Sequence, residues 1–154
     1  MIRTATLTLI VMLLFPFNAC CAESGGKGGD PMEGQTTAKI RMVLANDEKV
    51  VVAMFDNPAA KDFLALLPLT AEFRDFAGAE KIADLPRRLQ TSGSPTARNA
   101  TGDFTYYAPW GNIAVFYKGS GSGGQLYVLG RIESGKDILS SMNRNFTARI
   151  EIIP

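Results

Sequence analysis

Side chains that could perform acid–base, nucleophilic or metal chemistry are few in this chain. It contains no histidine, so it lacks the usual general base near neutral pH and the commonest metal ligand. Its two cysteines, Cys20 and Cys21, both lie at the end of an apolar N-terminal stretch. Catalysis by a serine–histidine or cysteine–histidine arrangement is therefore excluded. The remainder of the chain likewise has no thiol for a disulfide or a cysteine zinc site.

Carboxylates give no sign of a catalytic pair or a metal site. The aspartates Asp56, Asp75, Asp84 and Asp103 are spread across predicted turns without paired spacing. We therefore predict no metal and no cofactor. The formal net charge of +1 is close to neutral and forms no basic stripe, which gives no support for a nucleic-acid partner.

Apolar periodicity predicts a mainly β domain over residues 38–154. Residues 38–44 alternate, with Ile40, Met42 and Leu44 on one side of a strand. Further strands are predicted over residues 50–55, 69–76, 104–107, 113–117, 126–132 and 146–153, which makes about seven in all.

Two short helices are predicted among these strands. Asn57 and Pro58 form the start of the first, and Pro68 stops it. Ser134 is predicted to cap the second by accepting a hydrogen bond from the backbone N–H of Asp137. Short strands with two capped helices favour a closed β-barrel over the alternative, a β-sandwich.

The segment that joins the last long strand to the second helix resembles the closing segment of the cyclophilin barrel. The matching positions are Leu129, Gly130, Ile132, Gly135, Asp137 and Ile138. The order of predicted elements is also similar to that of the family. It further resembles the reduced cyclophilin-like domain that occurs as a stand-alone bacterial protein. The resemblance implies a closed cyclophilin-like β-barrel with two short helices.

The same resemblance implies a set of ligand-binding residues. Leu85-Pro86-Arg87 resembles the segment that carries the family's catalytic arginine, and residues 114–117 resemble the paired aromatics of its proline pocket. We expect a groove lined by Arg87, Tyr107, Trp110 and Phe116, in which the guanidinium holds a carbonyl and the rings hold an apolar side chain. Judged by residue type alone, Arg87 is a solvated surface residue, Phe116 and Tyr106 belong to the core, and Trp110 lies at a rim.

Several other positions depart from the family. No counterpart of its pocket Phe-Met and following Gln stands between Leu89 and Gly102, and its pocket histidine falls at Leu126. We therefore expect a binding module for an extended peptide or small ligand, without established catalysis. A weak peptidyl-prolyl cis-trans isomerase that uses Arg87 is one alternative. A structural partner of a cell-envelope complex, which would carry a broad exposed apolar patch, is another.

The N-terminal region reads as an export leader. Residues 1–22 have a basic start at Arg3, an apolar stretch and a small-residue exit, the pattern of a cleaved signal. Phe17-Asn18-Ala19-Cys20 resembles a lipoprotein cleavage box, so lipidation of Cys20 is predicted. Cleavage after Ala22 and an uncleaved buried helix are the alternatives.

Residues 23–37 are rich in Gly and polar residues, a composition that predicts a flexible tether. We expect a monomeric, periplasmic or outer-membrane-anchored lipoprotein.

Overall fold

The computed structural model describes residues 34–119 and 124–154. The predicted leader, nearly all of the tether and most of the Gly-Ser run at 119–124 lie outside the described residues. The elements of the described part, in chain order, are β1 (Thr36–Leu44), β2 (Lys49–Phe55), α1 (Pro58–Leu64), β3 (Leu69–Phe76), β4 (Glu80–Asp84), β5 (Asp103–Tyr107), β6 (Asn112–Phe116), β7 (Leu126–Ser134), α2 (Lys136–Ser141) and β8 (Phe146–Ile153). None of these helices is long and apolar enough to cross a bilayer.

The strands form a closed barrel in the order β1-β2-β7-β5-β6-β4-β3-β8. Neighbouring strands are antiparallel, and β8 closes the barrel by pairing with β1 on one side and with β3 on the other. The predicted mainly β barrel with two helices is confirmed, and the sandwich alternative is wrong.

The barrel interior is filled by alternate residues of the strands and by both helices. Ile40, Met42 and Leu44 are buried on one side of β1, as the alternation predicted. Phe63 of α1 packs edge-on against Phe104 of β5, with ring centroids 5.3 Å apart. Leu139, from α2, belongs to the same core. Each helix therefore contributes a fully buried side chain to a core that the strands surround.

The two helix starts differ in their chemistry. Asn57 caps α1 as predicted, and its Oδ1 accepts from the backbone N–H of Ala60 at 3.0 Å. The predicted cap of α2 is wrong, because Ser134 is the last residue of β7 and makes no cap. Gly135 takes the cap position instead, with a φ of 84°. A Cβ there would lie 2.6 Å from the carbonyl oxygen of Lys49, so the position requires glycine.

β4 is a strand that the sequence did not predict. Its second residue, Lys81, is only 2% exposed and interrupts the apolar pattern by which strands are recognised. Its ammonium donates to Asp75 Oδ1 at 2.7 Å and to the carbonyl of Met142 at 2.6 Å, and it lies 4.8 Å from the centre of the Tyr117 ring. These contacts offset the loss of hydration that a buried charge suffers. Burial and the hydrogen bond to Asp75 raise the pKa of Tyr117 to about 12.

The seam between β2 and β7 brings two backbones unusually close together. A Cβ on Gly130 would lie 2.3 Å from the carbonyl oxygen of Ala53. Only glycine fits that approach, which gives a physical reason for Gly130 in the motif that resembled cyclophilins. The strand continues through this glycine to Ser134, two residues beyond its predicted end at residue 132.

Candidate functional site

The outside of the barrel carries a second apolar cluster, separate from the interior core. Its buried members are Phe55, Ile82, Ala97, Ala114, Phe116, Leu126 and Val128. Alternation explains why they point outward: Ile113 and Val115 of β6 fill the interior, so Ala114 and Phe116 between and beside them face the other way. We call this surface the outer face.

Three aromatic rings lie on the outer face and form what we call the aromatic patch. The ring of Trp110 is 5.5 Å from that of Phe76 and 5.4 Å from that of Tyr107, measured between centroids. Both contacts are edge-to-face, with interplanar angles of 84° and 80°. Trp110 is 56% exposed and Phe76 41% exposed. The patch thus offers aromatic surface to solvent next to a buried apolar cluster.

The turn between β5 and β6 holds Trp110 in place. Gly111 has a φ of 73°, and its N–H donates to the carbonyl of Tyr107 at 2.9 Å. From outside the turn, the guanidinium of Arg88 donates to the carbonyl oxygens of Ala108 and Pro109. Because these bonds fix the backbone on both sides of Trp110, the ring stands on a rigid support.

Arg87, the predicted carbonyl-binding arginine, makes its contacts elsewhere. Its guanidinium forms a bidentate ion pair with Asp62 of α1, at 2.6 Å from Nη2 to Oδ1 and 2.8 Å from Nη1 to Oδ2. Asp62 Oδ2 also accepts from the backbone N–H of Gln90 at 2.8 Å. The Arg87 hydrogen bond, followed by that of Gln90, lowers the pKa of Asp62. These bonds fasten the segment after β4 to α1.

The structure therefore brings together only part of the predicted site. Tyr107 and Trp110 are in ring contact, and Trp110 is exposed as expected for a rim residue. Phe116 and Tyr106 are each 1% exposed, so Phe116 lies beneath the outer face and does not line an open groove. The ion pair with Asp62 holds Arg87 against α1.

Sequence reasoning missed Phe76, Arg88 and Glu80, all of which adjoin the patch or its supports. Alternation in β3 carried a signal for Phe76, because Ala71 and Phe73 belong to the interior core and Phe76 has the opposite parity. No local pattern distinguishes Arg88 from its neighbour. Its role depends on a turn some twenty residues further along the chain.

Glu80 is a half-buried carboxyl group at the edge of the patch. The register places it directly opposite Phe76 on one side and opposite Phe116 on the other. Burial, and secondarily the charge of Asp75, raises the pKa of Glu80. Among the described residues, no group of three or more Cys, Asp or Glu side chains could hold a metal ion.

Comparisons with known proteins agree with this architecture. The model of the cyclophilin-like family matches residues 43–151, more than two thirds of the chain, and the chain belongs to that family. A comparison with curated proteins gave no match. Among solved structures, the chain is similar to the hypothetical protein AF2241 from Archaeoglobus fulgidus, determined in solution. The TM-score is 0.54 at 14% identity over 77% of this chain and 96% of that one. At that identity the likeness shows a common fold.

The Arg87–Asp62 pair predicts an acid-sensitive contribution to stability. Because the folded-state pKa of Asp62 is lowered, the contribution is present above the unfolded pKa of about 3.9 and is lost as the pH falls through the folded value. Asp62→Asn should therefore lower the urea midpoint at pH 7, and the difference from the parent should shrink below about pH 4. Asp47→Asn, in the exposed turn between β1 and β2, is the matched control. An equal deficit at pH 7 and pH 3 would contradict the assignment.

Proposed function

We propose that the protein is a binding module that holds an extended peptide or small ligand on the aromatic patch. The observation that carries this proposal is the exposure of Trp110 and Phe76 on a face whose other apolar side chains are largely buried. Covering such rings gains about 25 cal/mol per Å² of apolar surface removed from water. Because the Trp110 turn is already rigid, a ligand would not have to order it.

The neighbourhood of the patch indicates how a ligand would be oriented. An apolar side chain would pack on Trp110 and Phe76. A hydrogen-bond donor or a cation would find the carboxyl of Glu80, which stands opposite Phe76 in the register. The phenol of Tyr107, at the other side of Trp110, adds a further polar group. This combination favours a peptide or small molecule with one apolar and one donor group.

The chain has a single tryptophan, so ligand binding at the patch should change the intrinsic fluorescence of Trp110 directly. We expect a peptide selected from a synthetic library by this signal to bind at least tenfold more weakly to Phe76→Ala and Trp110→Ala, measured by calorimetry. Ile152→Ala is the control, because Ile152 is 46% exposed on β8 and makes no part of the patch. Unchanged affinity in both patch variants, or an equal loss in the control, would overturn the proposal.

The isomerase alternative receives less support from the same geometry. The guanidinium that would stabilise a twisted amide is committed to Asp62, and the family's Phe, Met, Gln and His positions are filled by other residues. We expect a Xaa-Pro test peptide to isomerise at its uncatalysed rate, with a time constant of roughly tens to hundreds of seconds at 25 °C. An acceleration by the purified protein that Arg87→Ala abolishes and Arg144→Ala, at an exposed arginine between α2 and β8, leaves intact would establish the enzyme.

We further propose that the protein is exported and anchored through Cys20. The support is the apolar leader with a lipoprotein-like cleavage box, which lies outside the described residues. Membrane-extracted protein should show, by intact mass, a diacyl or triacyl modification that is lost in Cys20→Ser and retained in Cys21→Ser. A soluble product beginning at Glu23 would contradict the anchor and leave export standing.

A further inference from the structure

One side of β7 is shared between two neighbours. Its second half, from Gly130 to Ser134, pairs with β2. Its first half pairs instead with residues 91–98, which we call the strap, through an antiparallel bridge between Thr96 and Tyr127. The strap therefore occupies a stretch of strand edge that β2 leaves vacant.

The backbone of the strap is held to β7 by two hydrogen bonds. The N–H of Ala97 donates to the carbonyl of Leu126 at 2.8 Å, and the carbonyl of Pro95 accepts from the N–H of Val128 at 3.1 Å. At its other end, Ser94 Oγ accepts from the N–H of Ala59 at 2.9 Å. These bonds reproduce the ladder of a β-sheet over three residues only.

Apolar burial adds little to the strap. Ala97 is its one buried residue, whereas Ser92, Gly93, Pro95, Thr96 and Arg98 are exposed. A segment with little buried apolar surface belongs to the less stable parts of a fold, which open locally before the rest unfolds.

The ends of the strap are, by contrast, firmly fixed. Leu89 is buried and donates its N–H to Tyr106 Oη at 3.2 Å. Beyond the other end, Ala100 donates its N–H to Asp103 Oδ2 at 2.9 Å. Gly93 and Asn99 adopt left-handed conformations, with φ of 78° and 57°. The anchors on either side are thus held independently of the strap's bonds to β7.

We propose that the edge of β7 from Leu126 to Val128 is a docking edge for an extended peptide, and that the strap is an internal occupant which the peptide displaces. The inference rests on the proposed function, because Tyr107 stands directly opposite Leu126 and so joins this edge to the aromatic patch. An incoming peptide would add a strand by main-chain hydrogen bonds to Leu126 and Val128.

The strap itself indicates the chemistry of that peptide. Pro95 and Ala97 stand beside Val128 and Leu126 on the outer face, as the bridge register requires. A peptide with small apolar residues at alternate positions would therefore fit the same places. The edge is free only when the strap is open. The apparent association constant is therefore the intrinsic one multiplied by the fraction of molecules in the open state. The stability of the closed strap thereby determines how strongly the peptide binds.

A reversible lock on the strap tests this proposal. Thr96 and Tyr127 face each other in an antiparallel pair without mutual hydrogen bonds, where Cα atoms are close enough for a disulfide. The full-length protein carrying Thr96→Cys and Tyr127→Cys, with Cys20→Ser and Cys21→Ser to remove other thiols, can be compared in its oxidised and reduced states. The probe is a fluorescein-labelled synthetic peptide with the sequence of residues 91–98.

The reduced protein should bind the probe at least tenfold more tightly than the oxidised protein, measured by fluorescence anisotropy. Ala97→Gly, which weakens the strap and leaves β7 unchanged, should bind more tightly than the parent. The amide of Val128 should exchange with solvent more slowly in the oxidised state, and that of Ile113 in β6 equally in both. Equal affinities in the two redox states, or no gain in Ala97→Gly, would overturn the docking edge.

The same protein separates this inference from the proposed function. If the library peptide still depends on Trp110 while the lock changes no affinity, the patch binds ligand and the docking edge is wrong. If neither Trp110→Ala nor Phe76→Ala affects the library peptide while the lock blocks the strap probe, the patch proposal fails and the docking edge alone is supported.

Discussion

The fold depends on one side chain at the point where β2 leaves the sheet. Asn57 is buried, its Oδ1 caps α1, and its Nδ2 donates to the carbonyl of Val128 at 3.0 Å. Asn57 therefore stabilises the start of α1 and at the same time bonds that start to β7. Because β2 stops here, the first half of β7 needs another neighbour, and α1 provides both Asp62 for Arg87 and the Ala59 N–H for the strap.

Much of the architecture could be predicted because the pattern of the residues is local. Alternation in β1 and the Asn57-Pro58 start of α1 are signals carried by adjacent residues, and both were confirmed. β4 escaped prediction because Lys81, its second residue, is buried partly by a bond to the carbonyl of Met142, 61 residues further along the chain, which no local window contains. The cap of α2 was assigned to Ser134 because serine usually serves there, but contact with β2 demanded glycine next to it.

The candidate site was harder to predict than the fold, since it depends on which of two adjacent arginines faces which neighbour. Arg87 and Arg88 have the same chemistry, yet one contacts α1 and the other the Trp110 turn. The family resemblance assigned the ligand-binding role to Arg87. In the structure the guanidinium of Arg87 is paired with Asp62 instead. A nearby acid can thus redirect a residue that alignment by motif would assign to the ligand.

The position of the strap also bears on how the protein behaves in crowded solution. A closed barrel presents no unpaired strand edge, which protects it from pairing with copies of itself. The first half of β7 is the stretch at which β2 does not complete that closure, and the strap covers it with Pro95, Thr96 and Ala97. Substitutions that make the strap more apolar, or that lengthen its pairing with β7, would remove this protection and favour self-association. By covering this edge, the strap therefore also limits self-association of the protein.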